Sequence, residues 1–327
     1  MKAMFGWRSG LLGVVLSAAL GLTAGTAVAQ QTRISISTGG TGGVWYPMGG
    51  AMANVLSKKL PNTSATAEVT GASVDNLNLL ASQKTDVGFS MVDSAWEAYN
   101  GTGKFSGRKV AAQTLAVVHP LIMHVVTLDD SPIKSIADLK GKRVSTGSPG
   151  SGSEVMAFRI LKAKGIDPMK DITRERLSVA EAANALRDRK IDAFFHAAGI
   201  PIPAVTDIAN SPGLKIRMLD HGDAVEIMKK EAGPIYAATS IPAGTYKGVD
   251  RPTNSASVWG TLLVNQSMPE AMAYNIVKTL FENQPDLVSA HREASNMTLA
   301  NQSASKAALP FHPGAVKYFS EKGVSLK

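Results

Sequence analysis

Ile34-Ser35-Ile36-Ser37-Thr38-Gly39-Gly40-Thr41-Gly42-Gly43-Val44-Trp45-Tyr46-Pro47 is the stretch on which the fold turns. Ile34 and Ile36 alternate with serines, the period of a short strand. A glycine-rich turn follows over residues 38–43. Val44, Met48, Met52, Val55, Leu56 and Leu60 then recur at helical spacing until Pro61 stops the run. Strand, glycine turn and helix together open an α/β unit.

The rhythm repeats outward from there. Ala65–Val69 reads as a strand, Ser73–Gln83 as a helix, Val87–Ser90 as a strand and Asp93–Asn100 as a helix. Strands alternating with helices at this spacing predict a mostly parallel sheet. The pattern breaks at two extended runs, Leu115–Val118 and Leu121–Thr127, separated only by His119-Pro120. No parallel crossover fits in that gap, so the chain is expected to walk from one sheet into another. A second α/β series follows, with helices over 153–164, 180–189 and 204–210 and strands over 173–177, 191–195 and 215–219. A third, turn-rich section from Pro234 carries one long apolar strand, Ser257–Val264, and closing helices over 269–282 and 286–293. The fold class expected is α/β with two lobes and a cleft between them. Residues 30–120 and 240–327 are assigned to lobe I and residues 121–239 to lobe II.

The N-terminus sets the compartment. Lys2 and Arg8 form a basic head, Leu11–Leu22 an apolar stretch, and Ala27-Val28-Ala29 a small-residue cleavage site before Gln30. These are the three parts of a secretory signal peptide over residues 1–29, cleaved after Ala29. The apolar run is shorter than the roughly 20 residues a bilayer span needs. Export to the periplasm is the expectation. Cleavage would remove two basic residues and lower the net charge from +8 to +6. That charge is spread along the chain, which suits steering of a small anion as well as plain solubility. Nucleic-acid binding would want clustered Lys and Arg with exposed aromatics, and is not expected. Cysteine is absent, which excludes disulfides, thiolate metal sites and thiol nucleophiles.

Two glycine-rich loops carry the candidate chemistry. The first places Thr41, Gly42, Gly43 and Tyr46 where a strand feeds a helix. Helix N-terminal amides lack partners and carry partial positive charge, so an anion is the natural guest. The alternative is a simple tight turn. The dinucleotide pattern fails, because Trp45 stands where its third glycine belongs. The second loop, Thr146-Gly147-Ser148-Pro149-Gly150-Ser151-Gly152-Ser153-Glu154, repeats the arrangement in the other half of the chain. It does not match the G-x-S-x-G nucleophile elbow. The six histidines include no i, i+4 pair, and no Ser–His–Asp set assembles. No catalytic residue, metal site or cofactor is assigned. His119 and His196 fall near strand ends, where they could line the cleft.

The run Ile36–Pro47 resembles the opening signature of TAXI proteins, the solute receptors of one class of TRAP transporter. Residues 70–77, 86–90, 150–154 and 311–315 ahead of Tyr318 agree in order with the same family. The resemblance implies the two-lobe periplasmic solute-binding fold, type II-like, and delivery of a small carboxylate such as glutamate or 2-oxoglutarate to integral-membrane TRAP subunits. It implies ligand contacts at Thr41, Gly42, Gly43, Tyr46, Ser73, Asn76 and Ser90 from lobe I. From lobe II it implies Ser148, Ser151, Gly152, Ser153 and the segment from Phe195 through Gly199 to Pro201. Two other roles stay open on the sequence: a ligand sensor for a membrane kinase, and an exported hydrolase.

Overall fold

A computed structural model describes residues 31–326; the expected leader, residues 1–29, lies outside them. The first section runs β1 (Thr32–Ser37), α1 (Trp45–Lys59), β2 (Thr63–Glu68), α2 (Ser73–Ala81), β3 (Val87–Met91), α3 (Val92–Asn100) and β4 (Ala112–Leu128). The second runs β5 (Arg143–Ser145), α4 (Gly152–Ala163), β6 (Thr173–Glu175), α5 (Val179–Arg187), β7 (Ala193–Ala198), α6 (Pro203–Ala209), β8 (Ile216–Met218) and α7 (Val225–Ala232). The last section holds β9 (Ala237–Ile241), β10 (Thr253–Asn265), α8 (Glu270–Glu282), α9 (Gln284–Ala290), α10 (Ala304–Ala307) and α11 (Pro313–Glu321).

In the first lobe β1 lies parallel between β2 and β3, and β10 runs antiparallel between β3 and β4. In the second lobe β5 lies parallel between β6 and β7, and β7 and β8 pair antiparallel with the far end of β4. The helices that follow β1, β3, β5 and β6 begin at the carboxyl ends of those strands. In α/β sheets, that edge is where ligands bind.

The two extended runs expected around His119-Pro120 are one continuous strand of 17 residues. Its residues 112–122 pair with β10 and residues 122–127 with β7. Pro120 has no amide to donate, and it is opposite Trp259, where the β4–β10 register shifts between Trp259 and Thr261. Gly260 fits that irregularity, since a Cβ there would come within 2.6 Å of the Leu121 Cδ1. The pairing therefore loosens where the strand passes from lobe to lobe.

Packing follows the sequence periodicity. Met48, Met52 and Leu56 are fully buried on one face of α1. Each contributes about 1.5–3 kcal/mol by leaving water. Phe89 on β3 stacks on Trp45 with ring centroids 5.3 Å apart. β9 was not anticipated, because three of its five residues are exposed and it carries little apolar alternation. The closing helix expected over 286–293 ends at Ala290 and gives way to a 3-10 turn, Arg292–Asn296. Among the described residues, no helix is long and apolar enough to cross a membrane.

Candidate functional site

Four helix N-termini converge on one cavity between the lobes. Its walls include Gly43, Val44 and Trp45 at the start of α1, and Gly71, Ala72 and Ser73 at the start of α2. Ser148, Ser151, Gly152 and Ser153 come from the start of α4, and Ser178 and Val179 from the start of α5. About 40 Å³ is open to the centres of water molecules, room for a few waters or a small solute in their place. First-turn amides have no partner within their own helix, and each helix dipole adds partial positive charge there.

Local sequence explains each terminus. Ser151 caps α4 by accepting from the Glu154 amide at 3.1 Å. Ser178 and Glu181 close a capping box on α5. At α2 the preceding residue is Ala72 with φ 77° and ψ −144°, a conformation glycine prefers. Such strain costs on the order of 1–3 kcal/mol and is concentrated at ligand sites. Ser73 Oγ accepts from the Met91 amide at 3.0 Å, which ties α2 to the end of β3 and leaves the hydroxyl proton for another acceptor.

The lining is small, neutral and mostly donating. Among the described residues that line the cavity, none is Asp, Glu, Lys or Arg. His196 is half-buried on β7, and burial pushes its pKa down to about 4, so the imidazole is neutral near pH 7. Its Nδ1 lies 3.5 Å from Ser153 Oγ, which also accepts from the Ala197 amide at 3.0 Å. Trp45 is 7% exposed, and its indole Nε1 is buried without a hydrogen-bond partner. An indole N–H can only donate, so a buried one without a partner invites an acceptor.

The lobes touch around the cavity. The amides of Val74 and Asp75 donate to the Gly150 carbonyl at 3.0 and 3.1 Å. The Ala204 amide donates to the Gly42 carbonyl at 3.2 Å. A Cβ on Gly71 would come within 2.6 Å of the Pro149 carbonyl oxygen, so only glycine permits that approach. Beside the cavity, Arg159 on α4 donates to Asp93 on α3 at 2.9 Å and also bonds Glu97 and the Tyr236 hydroxyl. Tyr236 in turn donates to Asp93 at 2.6 Å. Burial opposes charge on Arg159, but Asp93, Tyr236 and Glu97 hold its pKa above the usual value. Asp93, the first residue of the helix expected over 93–100, is committed to this ion pair.

Gly43, Ser73, Ser148, Ser151, Gly152 and Ser153 are brought together in the cavity wall. His196, and Ala197 and Ala198 of the segment Phe195 to Pro201, line it as well, and the remaining residues named from the sequence lie elsewhere. Thr41 is exposed, Tyr46 is 36% exposed, and Gly42 packs against Ala180 and Ala204 at the lobe contact. Asn76 is fully buried, and its amide group donates to the carbonyls of Ser37, Thr38 and Phe89, clamping the ends of β1 and β3. Ser90 Oγ donates to the Met91 carbonyl at 3.0 Å. Phe195 is a core side chain, 1% exposed, while the next residue, His196, lines the cavity. Gly199 faces Glu293, whose Cγ would be 2.5 Å from an added Cβ. The α5 start, Ser178-Val179, was missed, although its S-x-x-E pattern is a capping-box signal. Among the described residues, no group of three or more His, Cys, Asp or Glu is placed to hold a metal ion.

The sequence profile of the NMT1-like family matches residues 36–323. A structure of a putative L-cystine ABC transporter from Listeria monocytogenes is similar at 15% identity and TM-score 0.50, covering 81% of this chain and 95% of that one. A Bordetella bronchiseptica structure matches at 16% identity and TM-score 0.50, over 88% and 89% of the two chains. The periplasmic aliphatic sulphonate binding protein SsuA of Escherichia coli gives 18% identity and TM-score 0.48, over 89% and 83%. The fold is the mixed α/β, two-lobe fold of periplasmic solute-binding proteins.

Proposed function

The chain belongs to the NMT1-like family, and from that premise we propose that it is a periplasmic receptor that captures a small carboxylate between its lobes. It delivers that solute to the membrane subunits of an importer. The observation that carries this reading is the convergence of four helix N-termini, two from each lobe, on one uncharged cavity. A carboxylate seated there gains amides and hydroxyls from both lobes at once. It gains them only when the lobes are together, so binding favours closure. No cationic side chain is needed, because amides and dipoles supply the positive potential. The two crossings near Pro120 and Gly260 are the natural hinge. The loop resemblance supports a TRAP-type importer and candidates such as glutamate and 2-oxoglutarate, with export through a leader cleaved after Ala29.

Thermal-shift screening of small carboxylates tests the reading directly. A ligand at 100 times its dissociation constant adds about 2.7 kcal/mol of stability. At least one carboxylate is expected to raise the melting temperature, and Ser153→Ala to weaken it by about 1–3 kcal/mol. A screen in which only uncharged solutes bind would overturn it.

A further inference from the structure

Among the described residues that line the cavity, His196 is the one titratable side chain, and its setting differs from that of the other five histidines. Each of those has a ring nitrogen on a backbone carbonyl. His119 faces Pro120, His124 faces Ile122 and His221 faces Leu219, all at 2.9 Å. His291 faces Pro201 at 3.2 Å and His312 faces Met268 at 3.0 Å. A carbonyl only accepts, so it fixes a proton on the nitrogen before it. His196 has a hydroxyl instead. Ser153 Oγ, 3.5 Å from Nδ1, accepts from the Ala197 amide and keeps a second lone pair and its own proton. It can donate to a bare Nδ1 or accept from a protonated one, so the wall suits the ring in either charge state. The other nitrogen, Nε2, lies toward the start of α1, 3.7 Å from where a Cβ on Gly43 would stand.

Among the described residues on the elements packed against β7, the charged groups are committed elsewhere. Opposite His196 on β4 is His124, bonded to the Ile122 carbonyl and the Tyr246 hydroxyl and kept neutral by burial. Further along β4, His119 lies 3.9 Å from Glu293. On α4, Glu154 pairs with Arg176 at 2.8 Å, Arg159 pairs with Asp93 at 2.9 Å, and Lys162 is in the last turn. On α5, Glu181 is held in its capping box, and Arg187 in the last turn donates to Asn184. Arg143 on β5 pairs with Asp192 at 2.7 Å, and α1 has no acidic residue in its first turn. The empty cavity thus offers an imidazolium no counter-charge, and burial pushes the His196 pKa down to about 4.

An entering carboxylate is that missing counter-charge, and an opposite charge within about 4–6 Å favours the protonated ring. We propose that His196 takes a proton from solvent as the solute anion enters, so that the lobes capture anion and proton together and release both on opening. That uptake rests on the anion capture proposed above. Helix N-termini draw the carboxylate in and oppose a lone imidazolium, which ties protonation of the ring to the presence of the anion. The loaded form holds more protons than the empty one, so affinity rises as pH falls.

Calorimetry on the full chain with pyruvate, L-glutamate and 2-oxoglutarate, in buffers of different ionisation enthalpy, counts the protons taken up with each solute. For each one that binds, affinity is expected to increase about 10-fold from pH 7 to pH 5, with matching proton uptake. Affinity constant within about twofold and no uptake overturn the inference and leave carboxylate capture standing. Silence from all three removes the anion capture on which the inference rests, and with it the inference. His196→Gln keeps a polar side chain without a titrating ring, and is expected to bind with no proton uptake and a flat pH profile. Uptake that persists in this variant overturns the assignment to His196. Ring nitrogen resonances of the unaltered chain serve if the variant fails to fold. One imidazole is expected to shift from the neutral to the protonated form when the solute saturates the protein at pH 5, and no shift overturns the proposal.

Discussion

Two regions bridge the same pair of lobes by opposite means. The cavity joins α1 and α2 to α4 and α5 with glycines, serines and a neutral histidine, and brings no charge of its own. The cluster of Asp93, Arg159, Glu97 and Tyr236 joins α3 to α4 with charges that are already paired. The second bridge is complete without a solute, and the first is not. The protein thus carries part of its closure in a standing ion pair and leaves the selective part to whatever enters the cavity.

The largest effect expected is that of pH, which acts on buried imidazoles, of which His196 lines the cavity and none belongs to the ion-pair cluster. Burial depresses His119 to about 4, His124 to about 3, and His196 and His221 to about 4, all below the ordinary 6.5. The unfolded chain binds more protons than the native one below that value. Stability is therefore full above pH 6.5 and falls progressively toward pH 4. The melting temperature followed across that window is expected to drop further than any single substitution below achieves. Arg159 stays charged throughout, so a flat profile would mean that these imidazoles are not held neutral.

Next in size is Arg159→Met, which leaves Asp93 buried without its cation. About 3–5 kcal/mol of unfolding free energy should be lost in urea titrations. A loss under about 1 kcal/mol would erase the distinction between a standing bridge and an induced one.

Gly152→Ala acts on the cavity instead. The added Cβ would lie 2.5 Å from Met91 Sδ and 2.7 Å from Ser73 Oγ, both on the opposite lobe. Overpacking of this kind costs about 1–3 kcal/mol, expected here as roughly 10–100-fold weaker solute binding by calorimetry. The smallest effect is reserved for Lys104→Ala. Lys104 reaches Glu154 across the lobes at 3.8 Å but is 46% exposed. Exposed pairs contribute about 0–1 kcal/mol, so chemical denaturation should scarcely register the change.

The two bridges also differ in how far the sequence announces them. The cavity loops are contiguous, and strand, glycine turn and helix N-terminus are local features, so Gly43 and Ser148–Ser153 were legible. Asp93, Arg159 and Tyr236 are separated by 66, 77 and 143 positions pairwise, and nothing local links them. Asn76 and Ser90 show a subtler limit. Asn76 lies in α2 and Ser90 in β3, both beside the cavity walls, but packing turns Asn76 onto carbonyls at the ends of β1 and β3 and Ser90 onto the carbonyl of Met91 in its own strand. Phe195 and His196 differ by one position on a strand, yet Phe195 is in the core while His196, with Ala197 and Ala198 after it, lines the cavity at the strand's end. The continuity of β4 through Pro120 was hidden because proline signals a break wherever partner strands are unknown.

The placement of β10 between β3 and β4 has a consequence for biogenesis. Strands β5 to β8, which pair with the far end of β4 or with one another, have been made once the chain reaches Met218, but the seam between β3 and the near half of β4 stays open until Thr261–Val264 arrives. A chain emerging N-terminus first therefore holds β4 to β8 while the seam in its beginning is still open. For that interval β3 and the near half of β4 present unpaired edges, the kind of surface that holdase chaperones cover.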